Sequence, residues 1–173
     1  IHIPFCHQIC HYCDFNKVFF KNQPVDEYIE AVGQEMAMAV AKKPELYEKV
    51  ETIFLGGGTP TSLSPAQITR LLHLIREAIP MECVVEFTSE ANPDELSREK
   101  LEALLAGGVN RLSLGVQSFD QGLLNKIGRT HSNEHVYETI ALAKEVGFQN
   151  ISIDLMYGLP NQTMEQWKES LEI

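Results

Sequence analysis

Basic residues are scarce in this chain. Lys and Arg number 14 against 24 Asp and Glu, giving a formal net charge of -10, and they form no cluster. Phosphate neutralisation needs grouped cations, so nucleic acid is disfavoured as the main partner. Long apolar runs are missing too, since no stretch approaches the roughly 20 residues that cross a bilayer. Nothing resembles a secretory signal or the cysteine framework of a small disulfide-stapled domain. The Gly-x-x-x-x-Gly-Lys of a phosphate loop and the spacing of a dinucleotide fingerprint are also absent, so nucleoside triphosphates and NAD are not indicated. What remains is 173 residues, 44% hydrophobic and 22% charged, enough for one core. The chain lacks an initiating methionine and ends in a helix opened by the capping-box pattern Thr163-Met164-Glu165-Gln166. It reads as one domain over 1–173, cut from a longer protein.

Of the four cysteines, three lie in the run Phe5-Cys6-His7-Gln8-Ile9-Cys10-His11-Tyr12-Cys13-Asp14-Phe15. Three thiolates on one short loop can hold three irons of a cubane cluster and leave the fourth iron open for chemistry. Structural zinc is the competing reading, with His2, His7 or His11 completing a Cys3His set, although zinc sites usually carry paired C-x-x-C half-sites. Cys83 opens an apolar run and reads as a core residue.

Strand-like and amphipathic helical runs alternate along the chain, punctuated by Gly and Pro. Helices are predicted at 24–42, 65–79, 97–106, 121–127 and 132–146, and strands at 51–55, 84–91, 111–117 and 151–156. Such alternation argues for parallel βα units. Parity then separates the possible sheets. Glu86, Thr88 and Glu90 alternate with Val85 and Phe87; Arg111, Ser113, Gly115 and Gln117 with Leu112, Leu114 and Val116; Ser152 and Asp154 with Ile151, Ile153 and Leu155. A doubly wound sheet is covered on both faces and reads as almost continuously apolar, which these strands do not. The fold class is therefore α/β, a partial (β/α) barrel of parallel strands with helices outside and a polar lumen. Working residues of barrels cluster at carboxyl ends of strands, which is where Glu90, Gln117 and Asp154 stand.

The run Leu55-Gly56-Gly57-Gly58-Thr59-Pro60-Thr61 follows a strand and lets main chain approach a ligand closely. By itself it is equally a tight turn. Beside the cysteine loop it becomes a candidate cofactor cradle.

Cys6-x-x-x-Cys10-x-x-Cys13, with Tyr12 before the last cysteine, resembles the radical S-adenosylmethionine (SAM) superfamily. Ile1-His2-Ile3-Pro4-Phe5-Cys6, Gly56-Gly57-Gly58-Thr59-Pro60-Thr61, Gly115-Val116-Gln117-Ser118-Phe119 and Ile153-Asp154-Leu155-Met156-Tyr157-Gly158-Leu159-Pro160 are similar to its group of oxygen-independent coproporphyrinogen III oxidases and HemW-type haem chaperones.

The resemblance implies that Cys6, Cys10 and Cys13 ligate a [4Fe–4S] cluster whose open iron is chelated by SAM. It implies that Gly57 and Glu90 hold the methionine part of SAM, and that Tyr12, Gly58, Thr59, Gln117, Arg129 and Asp154 match contacts to a second SAM. The implied chemistry is reductive cleavage of SAM to a 5′-deoxyadenosyl radical, with an electron donor such as flavodoxin or ferredoxin, in the reducing cytoplasm. His131 and His135 belong to a helix entrance and receive no role. The oxidase group carries a further cysteine two positions after the last cluster ligand, where this chain has Phe15. That departure favours a haem chaperone, binding haem and passing it to an acceptor protein, over an oxidase acting on porphyrin propionates. A radical enzyme acting on RNA is the third reading, opposed by the acidic charge.

Overall fold

The computed structural model describes residues 1–173. Short strands β1 (His2–Ile3), β2 (Phe5–Cys6) and β3 (Val18–Phe19) flank the cysteine loop, and helices α1 (Val25–Lys42) and α2 (Pro44–Tyr47) follow. Then come β4 (Thr52–Gly57), α3 (Pro65–Ala78), β5 (Glu86–Ala91), α4 (Arg98–Ala106) and β6 (Arg111–Gln117). The chain continues through α5 (Gln121–Lys126), α6 (Asn133–Val146), β7 (Asn150–Leu155) and α7 (Met164–Glu172). The major sheet has the order β1-β4-β5-β6-β7 with every pair parallel, while β2 and β3 form a separate parallel pair.

Sequential order is the decisive feature. Parallel crossovers are right-handed, so strands laid down one after another in one direction place their connecting helices on one face. A doubly wound sheet reverses its order and covers both faces. Here the helix-covered face buries Phe87, Leu112, Leu114 and Val116 against Leu71, Leu72, Leu101 and Leu104, all within one core cluster. The other face carries the polar parity set, as predicted for the partial barrel.

The polar residues of that face bond one another across three strands. Thr88 Oγ1 donates to Glu86 Oε1 at 2.9 Å, and Arg111 reaches Thr88 Oγ1 at 3.2 Å and Ser152 Oγ at 3.0 Å. Ser113 Oγ lies 3.0 Å from Ser152 Oγ and donates to Asp154 Oδ1 at 3.0 Å. The ladder register supplies the neighbours: Thr88 opposes Arg111, and Ser113 opposes Ser152.

The helices start where their caps stand. Ser64, Ser132 and Thr163 each form a complete capping box, with Gln67, His135 and Gln166 at the third position. The apolar stripe Ile68, Leu71, Leu72 and Ile75 of α3 is fully buried. On α1 only Val25 and Ile29 are, while Val32 and Met36 pack partly.

Two local expectations are corrected. Cys83 is exposed in the 3₁₀ turn Met81–Cys83, and Val85 is 73% exposed, so β5 begins at Glu86 and not at Val84. The apolar run there is a turn leaving Pro80. No helix is long and apolar enough to cross a membrane.

Candidate functional site

Parallel pairing of β1 with β4 sets the cysteine loop beside the glycine run. Gly58 N–H donates to Ile3 O at 2.7 Å and Thr59 N–H to Phe5 O at 2.8 Å. Gly58 has no room for a side chain, because a Cβ there would sit 2.7 Å from the Pro4 carbonyl carbon and 2.8 Å from Ile3 O. The predicted cradle is therefore a close backbone approach.

The cysteine loop is moored at its far side to the segment after α5. His11 N–H donates to Ile127 O and its Nδ1 lies against Lys126 O, each at 3.0 Å, while Gln8 Nε2 donates to Gly128 O at 2.7 Å. Arg129 completes the mooring by donating to Cys10 Sγ at 3.5 Å and to Gly115 O. Its Nε is buried without a partner.

Every predicted site residue meets at one cavity of about 500 Å³. Its wall includes Cys6, Cys10 and Cys13 from the loop, Tyr12 beside them, Gly57, Gly58 and Thr59 from the cradle, and Glu90, Gln117, Arg129 and Asp154 from strand ends and the α5–α6 linker. All the cysteines are unbridged. The three histidines offered to a zinc site point elsewhere: ring nitrogens of His2, His7 and His11 lie 2.7, 3.2 and 3.0 Å from the carbonyls of Asn16, Ser62 and Lys126.

Strand geometry aims the remaining groups. At the end of β6 a bulge sets two residues against Leu155, and Gln117 takes φ 67°, a left-handed conformation rare outside glycine. Such a kink at a strand end re-aims a side chain and belongs to functional sites more than to plain turns. Gly115 makes space for it, since a Cβ would meet Gln117 Nε2 at 2.9 Å and Arg129 at 3.0 Å.

The electrostatics divide the cavity. Glu90 Oε2 accepts from Gly57 N–H at 3.1 Å; burial raises its carboxyl above the usual range, with Asp154 adding to the rise and the Gly57 N–H opposing it. Burial likewise raises the Cys6 thiol, against the Thr59 hydroxyl that donates to its sulfur at 3.6 Å. Tyr12 is pushed up to about 12, chiefly by burial, and Arg129 pulls the other way. Carboxylates Glu90 and Asp154 and cations Arg129 and Lys17 thus line one space. Such a space can pair both ends of an amino-acid zwitterion.

Several lining residues received no role from the sequence, notably Ile9, Lys17, Asn92 and Met156. Asn92, in the run Glu90-Ala91-Asn92-Pro93 after a strand, was the one that turn chemistry could have flagged. His135 is the third residue of the α6 capping box, and His131 is buried with Nε2 3.0 Å from Val116 O. Neither lines the cavity.

A one-layered parallel sheet with helices outside, and three unbridged cysteines at the carboxyl-end cavity, defines a partial α/β barrel with a thiol-lined mouth. Residues 1–173 match the Radical SAM superfamily model, and the chain belongs to that superfamily. It is 53% identical to heme chaperone HemW of Bacillus subtilis (strain 168), over 99% of this chain and 45% of the relative. It is 38% identical to oxygen-independent coproporphyrinogen III oxidase of Escherichia coli (strain K12), over 99% of this chain and 37% of the relative. The solved structure of coproporphyrinogen III oxidase from Escherichia coli superposes with a TM-score of 0.86 at 38% identity, covering 99% of this chain and 39% of that one. The chain thus spans less than half the length of these relatives.

Membership implies a [4Fe–4S] cluster and SAM, and the residues present fit both. Free thiols on one wall, sulfur-directed donors from Thr59 and Arg129, and a backbone cradle too tight for any Cβ suit a cluster with a bound zwitterion.

Proposed function

We propose that residues 1–173 are the radical SAM core domain of a haem chaperone, which binds haem and passes it to an acceptor protein. The observation that carries this choice is Phe15. It lies on the cavity wall with Tyr12 and Met156 and is 62% exposed, at the position where the oxidase group carries cysteine. An aromatic ring offers an apolar face to a flat macrocycle and cannot exchange protons or electrons as a thiol can. The higher identity to a chaperone than to an oxidase over the same share of the chain supports the reading.

Cys6, Cys10 and Cys13 would hold the cluster, which supplies one-electron reduction of the SAM sulfonium when bound. Gly57 and Glu90 would hold the SAM methionine moiety, the carboxylate of Glu90 accepting from its ammonium. Tyr12, Gly58, Thr59, Gln117, Arg129 and Asp154 would surround a second ligand in the same cavity. Arg129 already has one N–H without a partner, and a guanidinium pairs with a carboxylate bidentately. Tyr12, a phenol that is protonated at neutral pH in any case, would act there as a donor. A loop cluster beside an open cavity suits the reducing cytoplasm, where flavodoxin or ferredoxin would supply electrons.

The test is full-length protein, reconstituted anaerobically and assayed in parallel for haem binding and coproporphyrinogen III turnover. Haem is expected to bind, without carbon dioxide release or protoporphyrinogen formation. Turnover with SAM consumed in step overturns the proposal in favour of the oxidase, the reading that the 0.86 superposition on an oxidase structure keeps in play.

A further inference from the structure

Two side chains at turn entrances give up the work such positions usually do. Thr59 precedes the 3₁₀ turn Pro60–Ser62 and Asn92 precedes Pro93–Glu95, yet neither side chain caps a backbone N–H. Thr and Asn placed there ordinarily bond their own turn. Here both reach across the fold, although Asn92 keeps one bond to a side chain of its own turn. Asn92 Nδ2 donates to Thr59 Oγ1 at 3.3 Å and to Glu95 Oε1 at 3.2 Å, and Thr59 Oγ1 donates to Cys6 Sγ at 3.6 Å.

The chain of donors has one direction. A hydroxyl carries a single proton, so an Asn92 N–H on the Thr59 oxygen leaves that proton for the sulfur. Asn92 has no proton left over, because its second N–H is taken by Glu95, whose backbone N–H in turn donates to Asn92 O at 3.1 Å. Thr59 and Cys6 are both buried although they border the cavity, which limits competition from water for the bond. The Thr59 backbone is pinned to Phe5 O, which keeps the hydroxyl beside the first cysteine.

We infer that Glu95, Asn92 and Thr59 form a relay that presents a hydrogen bond to the Cys6 sulfur, making Asn92 and Glu95 positioning residues for the cluster. The relay rests on the cluster reading proposed above. A donor on a ligating sulfur stabilises the extra negative charge of the reduced cluster and so raises its reduction potential.

The experiment is an EPR-monitored redox titration of full-length, anaerobically reconstituted protein, with iron and sulfide counted for each variant. Thr59→Val and Asn92→Ala are expected to lower the midpoint. At fixed potential the ratio of reduced to oxidised cluster should fall at least about threefold, ~28 mV at 59 mV per tenfold for one electron. Thr59→Ser should stay near wild type. The double variant should shift no further than Thr59→Val alone, because both changes act through one bond. Unchanged midpoints in cluster-loaded Thr59→Val and Asn92→Ala overturn the relay, as do shifts that add. Where Asn92→Ala takes up no cluster, Asn92→Ser, too short to reach Thr59, is measured in its place. Loss of the cluster in both, beside an unshifted Thr59→Val, also overturns it. Wild-type protein that takes up no iron overturns the cluster reading and the relay together, whereas loaded wild type with unshifted variants overturns the relay alone.

Discussion

The Glu90 carboxylate stands where burial and the neighbouring Asp154 disfavour its charge, and only the Gly57 N–H and His2 support it. A charged group kept in that position gains most from a cation, which an amino-acid ammonium supplies. Replacing it by Gln keeps an oxygen for Gly57 and removes the charge alone. Glu90→Gln is therefore expected to weaken SAM binding by roughly tenfold to a hundredfold, on the order of 1.5–3 kcal/mol for a charge-assisted bond. Iron content should not change. Calorimetric titration of cluster-loaded protein checks both, and full SAM affinity in the variant would sink the assignment. Glu90, Gln117 and Asp154 were legible in the sequence because a strand alternates with period two and polar parity marks the lumen. The φ of 67° at Gln117 was not, since only the bulge opposite Leu155 produces it. Nor was the bond from Asn92 to Thr59, a partner far along the chain that only the fold brings to it.

The long elements announce themselves and the short ones do not. Helices α3 and α6 carry capping boxes and stripes that locate them within a residue or two, whereas β1, β2 and β3 have two residues each, too few to show a period. Those short strands nevertheless build the site, because β1 on β4 is what lays the cysteine loop along the cradle. Gly58 is the test of that contact. An added methyl would press on the backbone of Ile3 and Pro4, which cannot rotate aside as a side chain can. Gly58→Ala is expected to cost about 1–3 kcal/mol, the range of an overpacked core position. It should also impair iron uptake, because the loop carrying Cys6 must shift. Chemical denaturation and iron analysis read the two effects, and a variant as stable and as fully loaded as wild type would show that the two backbones leave room for a methyl group.

Across the whole molecule, the packed core and the cysteine loop occupy different parts of the chain. The principal core draws on β1, Phe5, the helices α1, α3, α4 and α6 and the covered sheet face, and no residue from 7 to 17 belongs to it. The cysteine loop is held instead by a few bonds: Gln8 and His11 to the segment after α5, Lys17 to the carbonyls of Cys13 and Phe15, and Arg129 to Cys10. A loop with few apolar contacts opens locally long before the sheet unfolds. A metal that binds it stabilises the loop by linkage and leaves the core to its own packing. Stripping iron from the full-length protein with a chelator, anaerobically, is therefore expected to leave the far-ultraviolet circular dichroism unchanged. Hydrogen exchange should rise in residues 7–17 and around Ile127–Thr130, with β4, β5 and β6 still protected. Loss of protection throughout the sheet would mean that the metal holds the fold together, as it does in a zinc finger, and the division between a self-sufficient core and a metal-ordered loop would fall.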